Sequence, residues 1–437
     1  MEWYLTGGLI VAPIVFLILA GVPVAFAFLG VNLIAAFMFM GGGGGLEQVI
    51  SNATTTLTSF TLAPIPLFVL MGSMFFHAGL ANRVFEAIDA VLGAVPGRLC
   101  YVTVAGGTAF ASLTGSTMAN TSMLGSLLVP EMMKRGYSRH MSIGPIIGTG
   151  GLATIIPPST MAVILASVSG LNVGALLVAG LLPGVILALL YIFAIAMQIV
   201  FLPGSTPSYD VPTTSFSEKL KLFSVNILPM GFIVFCVVGF IILGVTTPTE
   251  AAAFGVLSTG IVAVLFRSLS WSAMKKSLGS TTRITGMALL IILGSSTFSQ
   301  LLAFSGASAG LVQAASELDL SPYLMLSLMF VTLILLGMLM DPYSILLLTV
   351  PLFFPLADQM GFDLVWFALI VLLAMEMSMT TPPFGLLLFL MMGVGPKGTT
   401  FGHVVRAALP YLACDLALVI ILTFFPSVAL YLPSLVG

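Results

Sequence analysis

Two Pro-Pro pairs, Pro157-Pro158 and Pro382-Pro383, interrupt apolar stretches that also carry small hydroxyl and amide side chains. Proline lacks an amide hydrogen and clashes with the preceding helical turn, so each pair breaks a helix and frees backbone carbonyls. Freed carbonyls beside hydroxyl groups are what a dehydrated cation needs. For the first break the candidate cation ligands are Ser112, Gly115, Ser116, Asn120, Thr149 and Gly150, with the carbonyls preceding Pro157. For the second they are Gly337, Asp341, Thr380 and Thr381, ahead of Pro382. A larger ligand held between the two breaks would meet Ser116, Asn120, Pro158, Ser159 and Pro383. One Pro-Pro pair alone reads equally well as a packed kink; two, each paired with a hairpin, favour a site.

Three acidic residues, Asp341, Glu376 and Asp415, lie within or near membrane depth, where ionisable groups default to functional candidates. Asp341, at a hairpin tip, leans toward function. For Glu376 and Asp415 a paired structural role is an equal alternative. Other chemistry finds little support. No His-Glu-x-x-His motif and no paired catalytic aspartate motif occurs, which argues against an intramembrane enzyme. Cys100, Cys236 and Cys414 are isolated in apolar surroundings and read as core residues. His77, His140 and His403 lie near loop ends and read as interfacial. The 25 methionines form no compact ligand motif and read as adaptable packing.

The elements that position these residues follow from composition. Of 437 residues, 59% are hydrophobic and only 6% charged, and the mean hydropathy is +1.19. Soluble domains carry about 25% charged residues, so the chain is a polytopic membrane protein, with no room for a soluble domain and no basis for nucleic-acid binding. The N-terminus lacks the basic flank of a signal peptide, so its first apolar segment is expected to remain a span.

Pro130, Gly136 and Pro157-Pro158 recur as Pro355, Gly361 and Pro382-Pro383, each pair 225 positions apart. Such a duplication, with breaks at corresponding places, is the mark of a transporter with discontinuous helices. Lys and Arg cluster in five places: 83–98, 134–139, 219–221, 267–283 and 397–406. The positive-inside rule puts these on the cytoplasmic face. Glu47, Glu317 with Asp319, and Asp358 with Asp363 mark outer loops. The loop at Gly136 is therefore basic and its counterpart at Gly361 acidic, so the repeats are inverted.

Charges also locate two re-entrant hairpins. Arg98 and Lys134 share one face, yet too few apolar residues separate them for two full crossings, which need roughly 40. A hairpin over 99–133 is expected, turning near Gly115-Ser116-Thr117. A second, over 322–357, enters from outside and is interrupted at Gly337 and at Asp341-Pro342. Each is followed by a broken crossing, at 141–169 and 364–394. Non-helical backbone at this depth needs protein or a watery cavity around it, so the tips should face a site.

The chain thus divides into N-terminal scaffold spans (1–60), a first inverted repeat (61–201), linker and scaffold helices (202–283) and a second repeat (284–437). Residues 7–40 form two short spans broken at Gly21-Val-Pro23. Further spans fall near 61–79, 173–201, 226–246, 250–266, 285–312 and 407–432. Gly41 to Gly45 reads as a flexible turn, and 203–225 as a cytoplasmic surface segment. Thr247-Pro-Thr-Glu250 fits a capping box better than an ion site.

Gly115-Ser-Thr-Met-Ala-Asn-Thr121, Pro130-Glu-Met-Met-Lys-Arg-Gly-Tyr137 and Ile156-Pro-Pro-Ser159 resemble the large membrane subunit of tripartite ATP-independent periplasmic (TRAP) transporters. Pro66-Leu-Phe, Thr247-Pro-Thr-Glu-Ala251 and Thr381-Pro-Pro-Phe-Gly385 match the same family, and the similarity runs from about residue 60 to the end. Thr117 and Phe384 depart from the residues common in relatives. The resemblance implies an elevator-type secondary transporter in the bacterial inner membrane. It would be driven by two or more sodium ions, use no organic cofactor, and carry sialic acid or C4-dicarboxylates. It also implies a soluble periplasmic substrate-binding protein and a small four-helix membrane subunit, here expected as a separate polypeptide. The alternative is a stand-alone sodium- or proton-coupled anion transporter or antiporter of related architecture. A channel fits less well, because paired inverted hairpins suggest an occluded site. No Lys or Arg lies deep in a span, so a bound organic acid would rely on helix-end amides and sodium for its charge.

Overall fold

The computed structural model describes residues 3–92, 95–207, 215–318, 320–383, 385–396 and 398–435. Phe384, Asp319 and Lys397 lie outside the described residues, as does 208–214 within the linker. Every regular element among the described residues is helical.

The first half runs α1 (Trp3–Leu19), α2 (Val24–Phe39), α3 (Gly43–Leu57), α4 (Pro64–His77) and α5 (Leu80–Leu92). A helical hairpin follows, α6 (Arg98–Thr114) and α7 (Thr117–Lys134), then α8 (Arg139–Ile155), α9 (Thr160–Ser169), α10 (Val173–Ala179) and α11 (Leu181–Phe201). After α12 (Phe216–Leu222) come α13 (Leu228–Val234), α14 (Phe240–Ile242), α15 (Pro248–Leu265), α16 (Trp271–Phe304) and α17 (Ala307–Glu317). The second hairpin is α18 (Pro322–Gly337) and α19 (Pro342–Gln359), followed by α20 (Leu364–Thr380), α21 (Leu386–Val394) and α22 (Phe401–Phe424).

The 225-residue offset holds at the level of elements. Shifted by it, α7 superposes in register on α19 and α8 on α20, end for end. The caps repeat as well: Ser138 opens α8 and Asp363 opens α20, each through side-chain acceptance of backbone amides. The same shift carries α2 onto α15 and α5 onto α17. The separate α3 and α4 correspond to the single 34-residue α16.

Some elements differ from expectation. Gly43 to Gly45 are not a loop but the first turn of α3, and Gly45 packs on the backbone of Ala36 in α2. Asn52 of α3 then donates to Ser296 Oγ at 3.1 Å and accepts from Gln300 at 2.9 Å, so α3 is anchored by polar contacts that hydropathy cannot display. The span expected at 285–312 starts earlier, at Trp271, and ends at Phe304, where Gly306 turns the chain into α17. The linker carries a short capped helix, α12. Thr247 and Glu250 form the expected capping box, with Thr247 N donating to Glu250 at 2.8 Å.

Among the described residues, seven helical stretches are long and apolar enough to cross a membrane. Among them Arg139–Ser169 is set apart: 89% of its most apolar window is buried within the protein. Every residue from Met141 to Ile155, and from Trp366 to Thr380, is buried. The first halves of the two broken crossings, α8 and α20, are therefore the centre of the molecule rather than lipid-facing spans. Water does not drive helices together in lipid, so close packing must do it, and small residues permit the approach. Gly144 and Gly148 of α8 do this by seating the ring of Tyr411 from α22. A second, smaller core joins α1, α2 and α3 to α16 through Ile10, Phe28 and Phe298.

Candidate functional site

The first hairpin turns where expected. Gly115 caps α6 in the left-handed conformation (φ 59°), and Ser116 caps α7 by accepting from Ala119 N at 3.4 Å. A Cβ at Gly115 would collide with the carbonyl of Pro158, and Thr160 N donates to Gly115 O at 3.3 Å. The hairpin tip is thus fastened to the break. There Ser159 donates to Thr154 O at 2.6 Å and accepts from Ala162 N at 3.2 Å, capping α9. The N-termini of α7 and α9, both positive dipole ends, meet at this place. Both Pro-Pro bonds are cis.

One helical turn deeper, the packed helices α7 and α8 carry a set of buried side-chain oxygens, a nest in the sense of neighbouring residues. Asn120 Nδ2 donates to Thr149 O at 3.1 Å and to Gly107 O at 3.3 Å, which leaves Asn120 Oδ1 without a partner. Thr149 Oγ1 and Thr121 Oγ1 are likewise unpartnered, and all three side chains are fully buried. Thr121 fills the space left by Gly150, and Thr117 and Thr154 share a 3.0 Å hydrogen bond nearby. Buried polar groups without partners are rare and costly. Three such groups on two packed helices are oxygen donors left free for a small cation. Thr121 is the member that sequence reasoning missed, although it follows Asn120 directly. Ser112 lies apart from the nest in its bonding, donating to Ala109 O at 2.8 Å.

The second repeat is built differently at the same places. Asn120, Thr121, Thr149 and Gly150 correspond to Ile345, Leu346, Ala374 and Met375, which offer no side-chain oxygen. Asp341 stands where Ser116 stands in the first repeat and caps α19, accepting from Tyr343 N at 3.1 Å and Ser344 N at 3.2 Å. The Ser344 hydroxyl also donates to it. Thr380 and Thr381 direct their hydroxyls to Met377 O, at 3.0 and 2.6 Å. Gly337 packs directly on Ser378, closing the first arm of the hairpin onto α20. A cation here would rest on main-chain carbonyls, with Pro382 and Pro383 in the intervening turn.

Cross-packing joins the repeats. α9 lies on α19 and α21 lies on α7, so each half-helix after a break contacts the return arm of the opposite hairpin. Val394 of α21 fills the space left by Gly125 of α7. A cavity of about 420 Å³ lies elsewhere, where α9 and α10 meet the starts of α4 and α15, lined by Thr61, Ser167, Asn172, Thr247 and Thr249. It marks a seam between the hairpin body and the surrounding helices and contains none of the candidate ligands.

Comparison with known proteins agrees with this architecture. The C4-dicarboxylate TRAP transporter large permease DctM of Pseudomonas aeruginosa is 33% identical over 384 residues, covering 87% of this chain and 88% of that protein. The ectoine TRAP transporter large permease TeaC of Halomonas elongata is 30% identical and covers 98% and 99%. The sialic acid TRAP transporter large permease SiaM of Vibrio cholerae is 28% identical, with 96% of each covered. In fold, the chain is similar to the Alcanivorax borkumensis YdaH transporter, at a TM-score of 0.62 and 14% identity over 88% of this chain and 90% of that one. These relatives are membrane permeases rather than enzymes, and the many apolar spans described above place this chain in the bacterial inner membrane in the same way. The family model described as "Tripartite ATP-independent periplasmic transporter, DctM component" matches residues 11–428, and the chain belongs to that family.

Proposed function

We propose that this chain is the translocating subunit of a sodium-coupled importer of an organic acid. The observation that carries the reading is the nest of Asn120, Thr121 and Thr149, whose buried oxygens have no partner of their own. Oxygen ligands without a carboxylate suit a weakly charged, hard cation, and sodium is the one available as cargo in a membrane gradient. A second sodium, at Thr380 and Thr381 with Gly337 and Asp341, would depend on backbone carbonyls. The acid would sit between the hairpin tips near Ser116, Asn120, Pro158, Ser159 and Pro383. Its charge would be met by the N-termini of α7 and α9 and by the bound cation.

Inverted repeats allow one body to present the same site to either face by exchanging the conformations of its halves. The moving body would comprise both hairpins and both broken crossings, sliding along the seam with α4 and α15. The relatives' names span C4-dicarboxylate, ectoine and sialic acid, and a carboxylated substrate class covers all three. A soluble periplasmic binding protein would deliver the substrate, and a small membrane subunit would complete the scaffold.

The test is uptake into proteoliposomes containing the chain with its small subunit and binding protein. Uptake of the cognate acid under an inward sodium gradient, abolished in choline, is the expected result. Uptake that follows a pH gradient and ignores sodium would overturn sodium coupling. Uptake without the binding protein would favour the stand-alone reading instead.

A further inference from the structure

Glu376 of α20 and Asp415 of α22 are fully buried on helices that pack against each other, close enough for their carboxyl groups to interact electrostatically. The Tyr191 hydroxyl of α11 donates to Asp415 Oδ1. Neither oxygen of Glu376 receives a donor from any described residue. Its carboxyl occupies space that exists only because residue 151 of α8 is glycine. The titratable groups around the pair are Tyr191 and Cys414; α8 contributes only Gly151, and the described ion pairs lie elsewhere, at Arg98–Asp89 and Arg135–Glu131.

The depth of this cluster follows from the repeat. Residues 151 and 376 are equivalent positions, 225 apart, and they touch. A residue that contacts its own symmetry mate lies on the pseudo-two-fold axis. In an inverted repeat that axis lies in the membrane plane, so Glu376 is near the bilayer midplane. Two uncompensated carboxylates cannot persist at contact in that environment: desolvation and mutual repulsion both oppose it. One hydroxyl donor does not remove the charge. No group of three or more His, Cys, Asp or Glu is placed to hold a metal ion among the described residues, which suits a monovalent rather than a transition-metal ion.

We propose that Glu376 and Asp415 form a cation-binding position on the pseudo-symmetry axis, holding one monovalent cation, a proton or a sodium ion, between their carboxyl groups. This position shares no residue with the hairpin-tip nest, although Gly151, which it abuts, directly follows Gly150. It lies between the two broken crossings and α22, so whatever it holds travels with them.

Infrared spectroscopy of the purified chain tests this directly, using the carbonyl stretch of a protonated carboxyl and its shift in D2O. Wild type, Glu376→Gln and Asp415→Asn would each be recorded in choline chloride and in sodium chloride, with thermal unfolding confirming that each is folded. In choline, wild type is expected to show one protonated carboxyl that disappears in at least one variant. Persistence of that band in saturating sodium identifies the cation as a proton. Its loss on adding sodium, reversed by dilution, shows that sodium displaces the proton. No such band in either salt, or a band unchanged in both variants, would overturn the proposal. Because the readout needs no substrate or partner, its failure would leave the hairpin-tip reading untouched.

Discussion

Gly151 and Glu376 are symmetry-equivalent residues of the two repeats, and they pack against each other. The inverted halves are therefore not merely adjacent; they share an axis that passes between α8 and α20. At this contact the repeats diverge as far as two residues can, one with no side chain and the other with a long acidic one. A glycine at 151 is a steric requirement of the carboxyl at 376.

Gly151→Ala should therefore destabilise the protein by about 1–3 kcal/mol, the usual cost of forcing extra volume into a packed interior. Shortening the opposing side chain should relieve it. Thermal unfolding of Gly151→Ala, Glu376→Ser and the double variant measures the coupling, and the double variant is expected to be more stable than the two single effects predict. Simple additivity would show that the contact is not close in the folded protein.

Tyr191→Phe removes the donor to Asp415 and should cost about 1–3 kcal/mol, since it leaves a buried acceptor short of a hydrogen bond. In an Asp415→Leu background the same change should have little further effect. Equal losses in both backgrounds, measured by thermal unfolding, would mean that Tyr191 acts through its ring packing on Tyr411 rather than its hydroxyl.

Gly115→Ala faces two obstacles, a left-handed backbone and the Pro158 carbonyl. The backbone alone contributes about 1–2 kcal/mol. Uptake should fall below detection while membrane insertion and expression persist, because the fault is confined to the tip. Replacing Pro157-Pro158 with Ala-Ala should do the same by letting α8 run on into α9. Near-normal transport by both variants would remove the tip and break from the site.

Arg98 is nearly buried and pairs with Asp89 at 2.9 Å, also donating to the Asp89 carbonyl, so it ties α5 to the base of the first hairpin. Arg98→Met alone leaves a half-buried carboxylate unpaired and should be more damaging than Arg98→Met with Asp89→Leu. Thermal unfolding of the three variants checks the order; a worse double variant would contradict it.

How far this could be read from residues alone differs by region. The hairpin at 98–134 and the break at 157 were legible because proline, glycine and charge act locally, and each leaves a mark in the chain. The positions of Ser116 and Asp341 were legible as tips, but their N-cap geometry is a backbone matter that spacing does not reveal. α3 was missed because its three glycines read as a turn, while the contacts that fix it, Gly45 on Ala36 and Asn52 on Gln300, are tertiary. Thr121 was missed although the helical turn places it against Gly150. The meeting of Gly151 and Glu376 was within reach: applying the 225-residue offset to every residue, not only to prolines and glycines, sets a glycine opposite a buried acid. That they touch depends on the crossing of α8 and α20, which no local signal encodes.

The central claim, that the first hairpin and broken crossing form a sodium site, is tested most directly by thermal unfolding of the purified chain in sodium versus choline chloride at equal ionic strength. A ligand that binds only the folded state at about 100 times its Kd adds about 2.7 kcal/mol. The account predicts a saturable, sodium-specific rise that is markedly reduced in Asn120→Ala and Thr149→Val, the remainder belonging to the second position. It should be largely kept in Thr381→Ala, whose hydroxyl is already committed to Met377. Identical unfolding in both salts, or a sodium effect undiminished by loss of Asn120 and Thr149 together, would contradict it.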